Sequence, residues 1–188
     1  RGERMRLFEE TVESRVIFRG KIVTLREDVA RLENGTLASR EVVEHPDGVC
    51  ILPMEADGTV YTVRQFRYPF GEVTEELPAG KMDRGETHEA AARRELSEEV
   101  GCEAGELLYL GELLVSPGYS TEAIHMYLAR ELTHGAQHLD EDEFLEPVRT
   151  PFQRLFERVM RGELTDASTV AAILKTNELL RQEAGGTK

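Results

Sequence analysis

Behind a glycine loop, Gly80-Lys-Met-Asp-Arg-Gly-Glu86, the chain sets three glutamates, Glu95, Glu98 and Glu99, within five positions. Thr87 as N-cap, Glu89 in the first turn and Gly101 as a left-handed C-cap predict a helix from about His88 to Val100. Glu95 and Glu99 are four apart and Glu98 is three beyond Glu95, so all three share a face. Ala92, Leu96 and Val100 form the adjoining apolar stripe that would pack the helix against a core. Like charges this dense repel, and a helix normally interleaves them with Lys or Arg. A solvated acidic face is the default reading of a bare E-x-x-E-E. A hard divalent cation removes the repulsion, because oxygen donors on a packed element are what Mg²⁺ prefers.

The flanking residues decide between the two. The spacing from Gly80 to Cys102 is G-x5-E-x7-R-E-L-x-E-E-x-G-C. It resembles the signature of the Nudix hydrolases, G-x5-E-x7-R-E-U-x-E-E-x-G-U, where U is a bulky aliphatic. Gly80, Glu86, Arg94, Glu95, Leu96, Glu98, Glu99 and Gly101 fall in register, and only Cys102 departs, with a small apolar side chain. The resemblance implies an α+β fold of Nudix type, an α/β/α sandwich with a mixed sheet. It makes Glu95, Glu99 and the Ala79 carbonyl the metal ligands, with Glu98 assisting directly or through water. A large side chain at position 80 would obstruct the approach of that carbonyl. Glu86 and Arg94 read as a charge-assisted pair bracing loop against helix.

At 188 residues the chain fits one domain with some length to spare, and 40% hydrophobic with 31% charged residues is ordinary for a soluble protein. No apolar run approaches a membrane span, and no signal-peptide pattern opens the chain. Cys50 and Cys102 sit in apolar contexts, as buried thiols rather than a disulfide, which suits a reducing cytoplasm. The five histidines show no metal-ligand spacing. A net charge of −13 argues against nucleic-acid binding, which rests on Lys and Arg neutralising phosphates. A phosphate-handling site here needs local positive charge, from Mg²⁺ (Mn²⁺ being the alternative) and a few placed arginines.

Alternation from Glu10 to Arg31 predicts two strands around Arg19-Gly20, then a turn at Asn34-Gly35 and a strand through Arg40 to Val43. A buried strand follows at Val49–Met54, another at Val60–Phe66 after Asp57-Gly58, and a short one enters Glu75-Glu76-Leu77-Pro78. Beyond the helix, Leu107–Leu114 and Ala123–Leu132 read as strands, and about Thr133 to Glu143 as a polar, acidic loop. Helices are expected at about Pro151–Arg161 and Asp166–Glu183, the second with a stripe of Val170, Ile173, Leu174 and Leu179. The division expected is 1–45 for N-terminal antiparallel strands and 46–184 for the Nudix domain.

Three segments, together with Gln65-Phe66-Arg67, are similar to the ADP-ribose pyrophosphatase group of the family. They are Glu75 to Lys81, Ser116 to Glu122 with Pro117 sixteen residues beyond Gly101, and Leu139 to Phe144. Each alone has a plain alternative: Pro117-Gly118 a turn, Arg40 and Arg67 strand-edge charges, the acidic run a solvated loop. The resemblance implies Mg²⁺-dependent hydrolysis of ADP-ribose to AMP and ribose 5-phosphate. It puts a general base on the loop, Glu141, with Glu143 nearer the metal; the two could be interchanged. Arg94 and Glu98 join Glu141 in the catalytic set. Arg40 and Arg67 would grip phosphates or terminal ribose, with Glu41 and Glu76 also in the substrate-binding set and Ser116, Pro117, Gly118 and Glu122 on the ribose side. The N-terminal strands imply a homodimer with a shared site. There Lys21 or Ile22 of the partner subunit stands where some members stack the base on an aromatic, and Phe18 could compensate. Rival readings are another nucleoside diphosphate sugar or dinucleotide (ADP-glucose, GDP-mannose, a flavin dinucleotide), hydrolysis of free nucleotides, or a noncatalytic ADP-ribose sensor.

Overall fold

The computed structural model describes residues 7–139 and 144–186. The elements are β1 (Glu10–Arg19), β2 (Thr24–Arg31), β3 (Leu37–Glu44), β4 (Gly48–Pro53), β5 (Thr59–Arg67), β6 (Glu72–Glu76), β7 (Ala79–Lys81), α1 (His88–Val100), β8 (Cys102–Leu114), β9 (Ala123–His134), β10 (Leu145–Pro151), α2 (Phe152–Met160) and α3 (Ala167–Gly185). They form two compact units, Arg1–Pro46 with Leu114–Glu122, and Asp47–Leu113 with Ala123–Lys188. The segment 114–122 therefore groups with the N-terminal strands, a long-range association that local pattern does not carry.

In the smaller unit, β1, β2 and β3 form an antiparallel sheet in that order. Its second turn closes as expected: Gly35 takes φ 83, and the Asn34 side chain accepts from the Thr36 amide at 3.0 Å. Backbone bonds Val43 N to Tyr119 O (2.7 Å) and Thr121 N to Val43 O (3.0 Å) lay the 119–121 stretch alongside β3. β1 is an edge strand exposed along its whole length, Val16, Ile17 and Phe18 included.

In the larger unit, β4 runs parallel to β9 and antiparallel to β7, within the order β7-β4-β9-β8; β5 lies between β10 and β6, antiparallel to both. β4 reads Gly-Val-Cys-Ile-Leu-Pro and is buried throughout. Its alternation sorts two cores. Val49 and Ile51 join Tyr127 and Ala129 of β9 and Ala91, Ala92 and Leu96 of α1. Cys50 and Leu52 join Met126 and Leu128 and the apolar faces of α2 and α3 (Phe152, Leu155, Val159, Ala172, Ile173). This is the α/β/α sandwich. Ile51, Leu52, Leu96 and Leu128 are fully buried, each contributing roughly 1.5–3 kcal/mol. Both cysteines are free and buried, and burial pushes both thiols up from their ordinary range. Among the described residues no helix is long and apolar enough to cross a membrane.

Three details differ from the pattern-based expectation. β10 was not anticipated, because Pro147 and Pro151 interrupt its signal; on an edge strand a missing N–H costs no ladder bond. β8 starts at Cys102 rather than Leu107, its first residues being Glu- and Gly-bearing. On α3, Ile173 is buried and Val170 and Leu179 pack against the same core as expected, but Leu174 is 40% exposed and the innermost positions also hold Ser168, Thr169, Ala172 and Thr176. Buried Thr169 is satisfied there, its Oγ1 accepting the Leu77 amide at 2.9 Å.

Candidate active site

The glutamate helix forms as its caps demand. Thr87 accepts from the Ala90 amide at 3.2 Å, and Gly101 (φ 64, ψ 32) ends α1 with its N–H on the carbonyls of Leu96 and Ser97. The three carboxylates are not equivalent. Glu95 and Glu99 are 6% and 2% exposed, while the Glu98 side chain keeps 34% of its surface. Two acids are thus held at the margin of the core, where an unmatched charge is costly.

What holds them is the glycine loop and one arginine. β7 sets Ala79 against α1, and the Ala79 amide donates to Glu99 Oε2 at 3.1 Å. Gly80 is in contact with the Glu95 carboxylate; a Cβ there would overlap it. Arg94 donates from Nε (3.1 Å) and Nη2 (3.0 Å) to Glu86, from Nη1 to Glu95 (2.8 Å) and Glu98 (2.9 Å), and from Nη2 to the Lys81 carbonyl (3.0 Å). Hydrogen bonding to Glu86, with Glu95 and Glu98, pushes the Arg94 pKa up against burial; the same bond holds Glu86 below the ordinary carboxylate value. Arg94 therefore fixes the loop to the helix and partly neutralises the acids.

A second cluster lies on β5 and β6. Glu76 is 3% exposed and takes both Nε (2.8 Å) and Nη2 of Arg67. It also accepts from Thr74 Oγ1 at 2.5 Å and Gln65 Nε2 at 3.5 Å. Thr74 and Gln65 were not expected at the site. The signal was available: Thr74 is two residues before Glu76, hence on its face of the strand, and pairs with Gln65.

Glu75, on the other face, binds Thr62 Oγ1 (2.9 Å) and, bidentately, Arg158 of α2 (2.9 and 3.0 Å). Burial alone would raise its pKa; the bonds from Arg158 and Thr62 outweigh this and hold it below the ordinary carboxylate value. The stability this gives is complete above the unfolded-state pKa and is lost as pH falls through the lower folded-state pKa. Thermal melts should therefore show a smaller loss between about pH 6 and pH 3 in Arg158→Met than in wild type. Equal losses would mean that the pair is not linked to folding.

The remaining expected residues lie in the smaller unit or outside the described chain. Arg40 is bound bidentately by Glu9 (2.8 and 2.6 Å), and Glu41 faces Glu27 across β2. Ser116 O accepts from the amides of Tyr119 and Ser120, which folds Pro117-Gly118 into a tight turn. Glu122 sits 3.4 Å from His45, and Ile22, in the β1–β2 connection, is 51% exposed. Glu141 and Glu143 lie outside the described residues. Among the described residues no three His, Cys, Asp or Glu side chains form a metal cluster; the expected ligand Glu143 lies outside the described residues, and Ala79 would contribute a backbone carbonyl. The donor set nevertheless fits a hard cation. Two buried carboxylates flank a strand backbone with no Cβ in the way.

A model described as the NUDIX domain matches residues 44–171. The chain belongs to the Nudix family. A second model, the nucleoside diphosphate sugar hydrolase N-terminal domain, matches residues 9–43 of this Nudix hydrolase. An ADP-ribose pyrophosphatase of Bacillus subtilis is 37% identical over 94% of this chain and 98% of its own length. A methanol dehydrogenase activator of Bacillus methanolicus is 34% identical over 95% of this chain and 99% of its own. A crystal structure of an ADP compounds hydrolase superposes with TM-score 0.86, covering 97% of this chain and 98% of that one; at 24% identity it speaks for the fold alone.

Proposed function

We propose that this Nudix hydrolase cleaves the diphosphate of ADP-ribose, with Mg²⁺ or Mn²⁺, to AMP and ribose 5-phosphate. The observation that carries the reading is the buried pair Glu95 and Glu99 set around the Ala79-Gly80 backbone and braced by Arg94. The name of the B. subtilis relative, matched over nearly both full lengths, supports the choice of substrate. Glu95, Glu99 and the Ala79 carbonyl would hold the cation, with Glu98 assisting; when bound, it offsets charge on the phosphate oxygens and makes water more acidic. Glu141 takes the proton of the attacking water, with Glu143 the alternative base. Water oxygen bonds to one phosphorus, the bond from that phosphorus to the bridging oxygen breaks, and two phosphate monoesters result. Arg67, oriented by Glu76, supplies positive charge for the diphosphate, and Arg40, Glu41, Ser116 to Gly118 and Glu122 supply the sugar contacts.

We also infer a homodimer with a shared site. The exposed edge strand β1, with Val12, Val16, Ile17 and Phe18 all more than 40% exposed, supports a second copy covering it. A substrate panel tests the activity: ADP-ribose, ADP-glucose and GDP-mannose at equal concentration with Mg²⁺, with products resolved by chromatography. ADP-ribose should turn over fastest and yield AMP. Preference for another compound would move the substrate within the nucleoside diphosphate sugars, the class that the N-terminal match names. Binding without turnover would instead support the sensor reading.

A further inference from the structure

The last turn of α1 has an electrostatic problem. Its final carbonyls lack helical partners, and it carries Glu98 and Glu99 with no basic residue to offset the negative end of the dipole. Donors come from the segment after β9. Gly135 N donates to Gly101 O (2.7 Å), His138 N to Glu98 O (3.0 Å) and Gln137 Nε2 to Glu99 O (2.6 Å). The approach is tight: a Cβ on Gly101 would meet Gly135 O at 2.9 Å and Gln137 N at 3.0 Å. The signature glycine thus serves both the helix end and this crossing.

Glu99 is consequently held at two points. Its carboxylate takes the Ala79 amide, and its carbonyl takes the Gln137 side chain. Of the three bonds from the 135–138 segment, only that of Gln137 uses a side chain. We propose that Gln137 is a positioning residue, which holds the end of α1 so that the Glu99 carboxylate stays aimed at a divalent cation. This rests on the reading of Glu95 and Glu99 as cation ligands. The backbone bonds from Gly135 N to Gly101 O and from His138 N to Glu98 O do not involve the Gln137 side chain. Substitution should therefore loosen the carboxylate without unfolding the chain.

The test compares the full chain, stripped of metal, as wild type, Gln137→Leu (similar bulk, no donor) and Gln137→Lys (donor restored). Mn²⁺ affinity is measured by electron paramagnetic resonance, alongside Tm and the kcat and KM for ADP-ribose. Gln137→Leu should bind Mn²⁺ ~10-fold more weakly and lose ~10-fold in kcat, with KM within ~2-fold. Gln137→Lys should recover most of both. Wild-type affinity in Gln137→Leu overturns the proposal, as does a loss that follows Tm and is not recovered by Lys. Wild-type protein that takes up no Mn²⁺ would sink the cation reading itself, and with it this inference.

Discussion

Glu99→Gln is expected to lower ADP-ribose turnover by about 10³-fold while leaving the fold intact. The amide is the same size and its oxygen can still accept the Ala79 N–H, so the 2%-exposed position stays filled and hydrogen-bonded. What disappears is a full negative charge at the end of a helix that the core holds still. A neutral amide oxygen is a far poorer partner for a hard cation than a carboxylate. Single-turnover kinetics with a Tm measurement on the same preparation make the check. Near-normal turnover would remove Glu99 from the chemistry and leave Glu95 and Glu98 as the acids that matter.

Gly80→Ala should cost about 10²-fold in kcat/KM with a change in Tm of only a few degrees. The added methyl would occupy the space of the Glu95 carboxylate, which must swing away and give up its bond to Arg94. No backbone strain is involved, since Gly80 is not among the residues with positive φ. The defect is one of placement. Gly185→Ala, with open space around it, is the control and should behave as wild type. If Gly80→Ala is as active as wild type, the position of the Glu95 carboxylate is not critical.

Much of the larger unit was legible because its signals are local. Thr87, Glu89 and Gly101 mark the ends of α1, and four-residue spacing puts its acids and its apolar stripe on defined faces. The unbroken apolar run in β4 announced a strand covered on both sides. The segments that went unread lack a local signal. Pro147 and Pro151 disguise β10, whose strand character comes from its register with β5. On α3 the burial of Thr169 rests on a distant partner, the Leu77 amide, that no spacing of apolar residues announces. The match to the Nudix model agrees with the family, and the nucleoside diphosphate sugar hydrolase N-terminal model covers the first strands, residues 9–43.

Read along the chain, Glu95, Glu98 and Glu99 are three similar acids on one helical face. Helical period and residue type determine that much, because both are properties of neighbours in sequence. Tertiary structure alone decides that Glu95 and Glu99 are buried against the Ala79-Gly80 backbone, that Glu98 shares Arg94, and that Gln137 reaches the end of the helix from 38 residues away. Burial and charge pairing depend on which distant groups arrive at the same place, and only the packed chain brings them there.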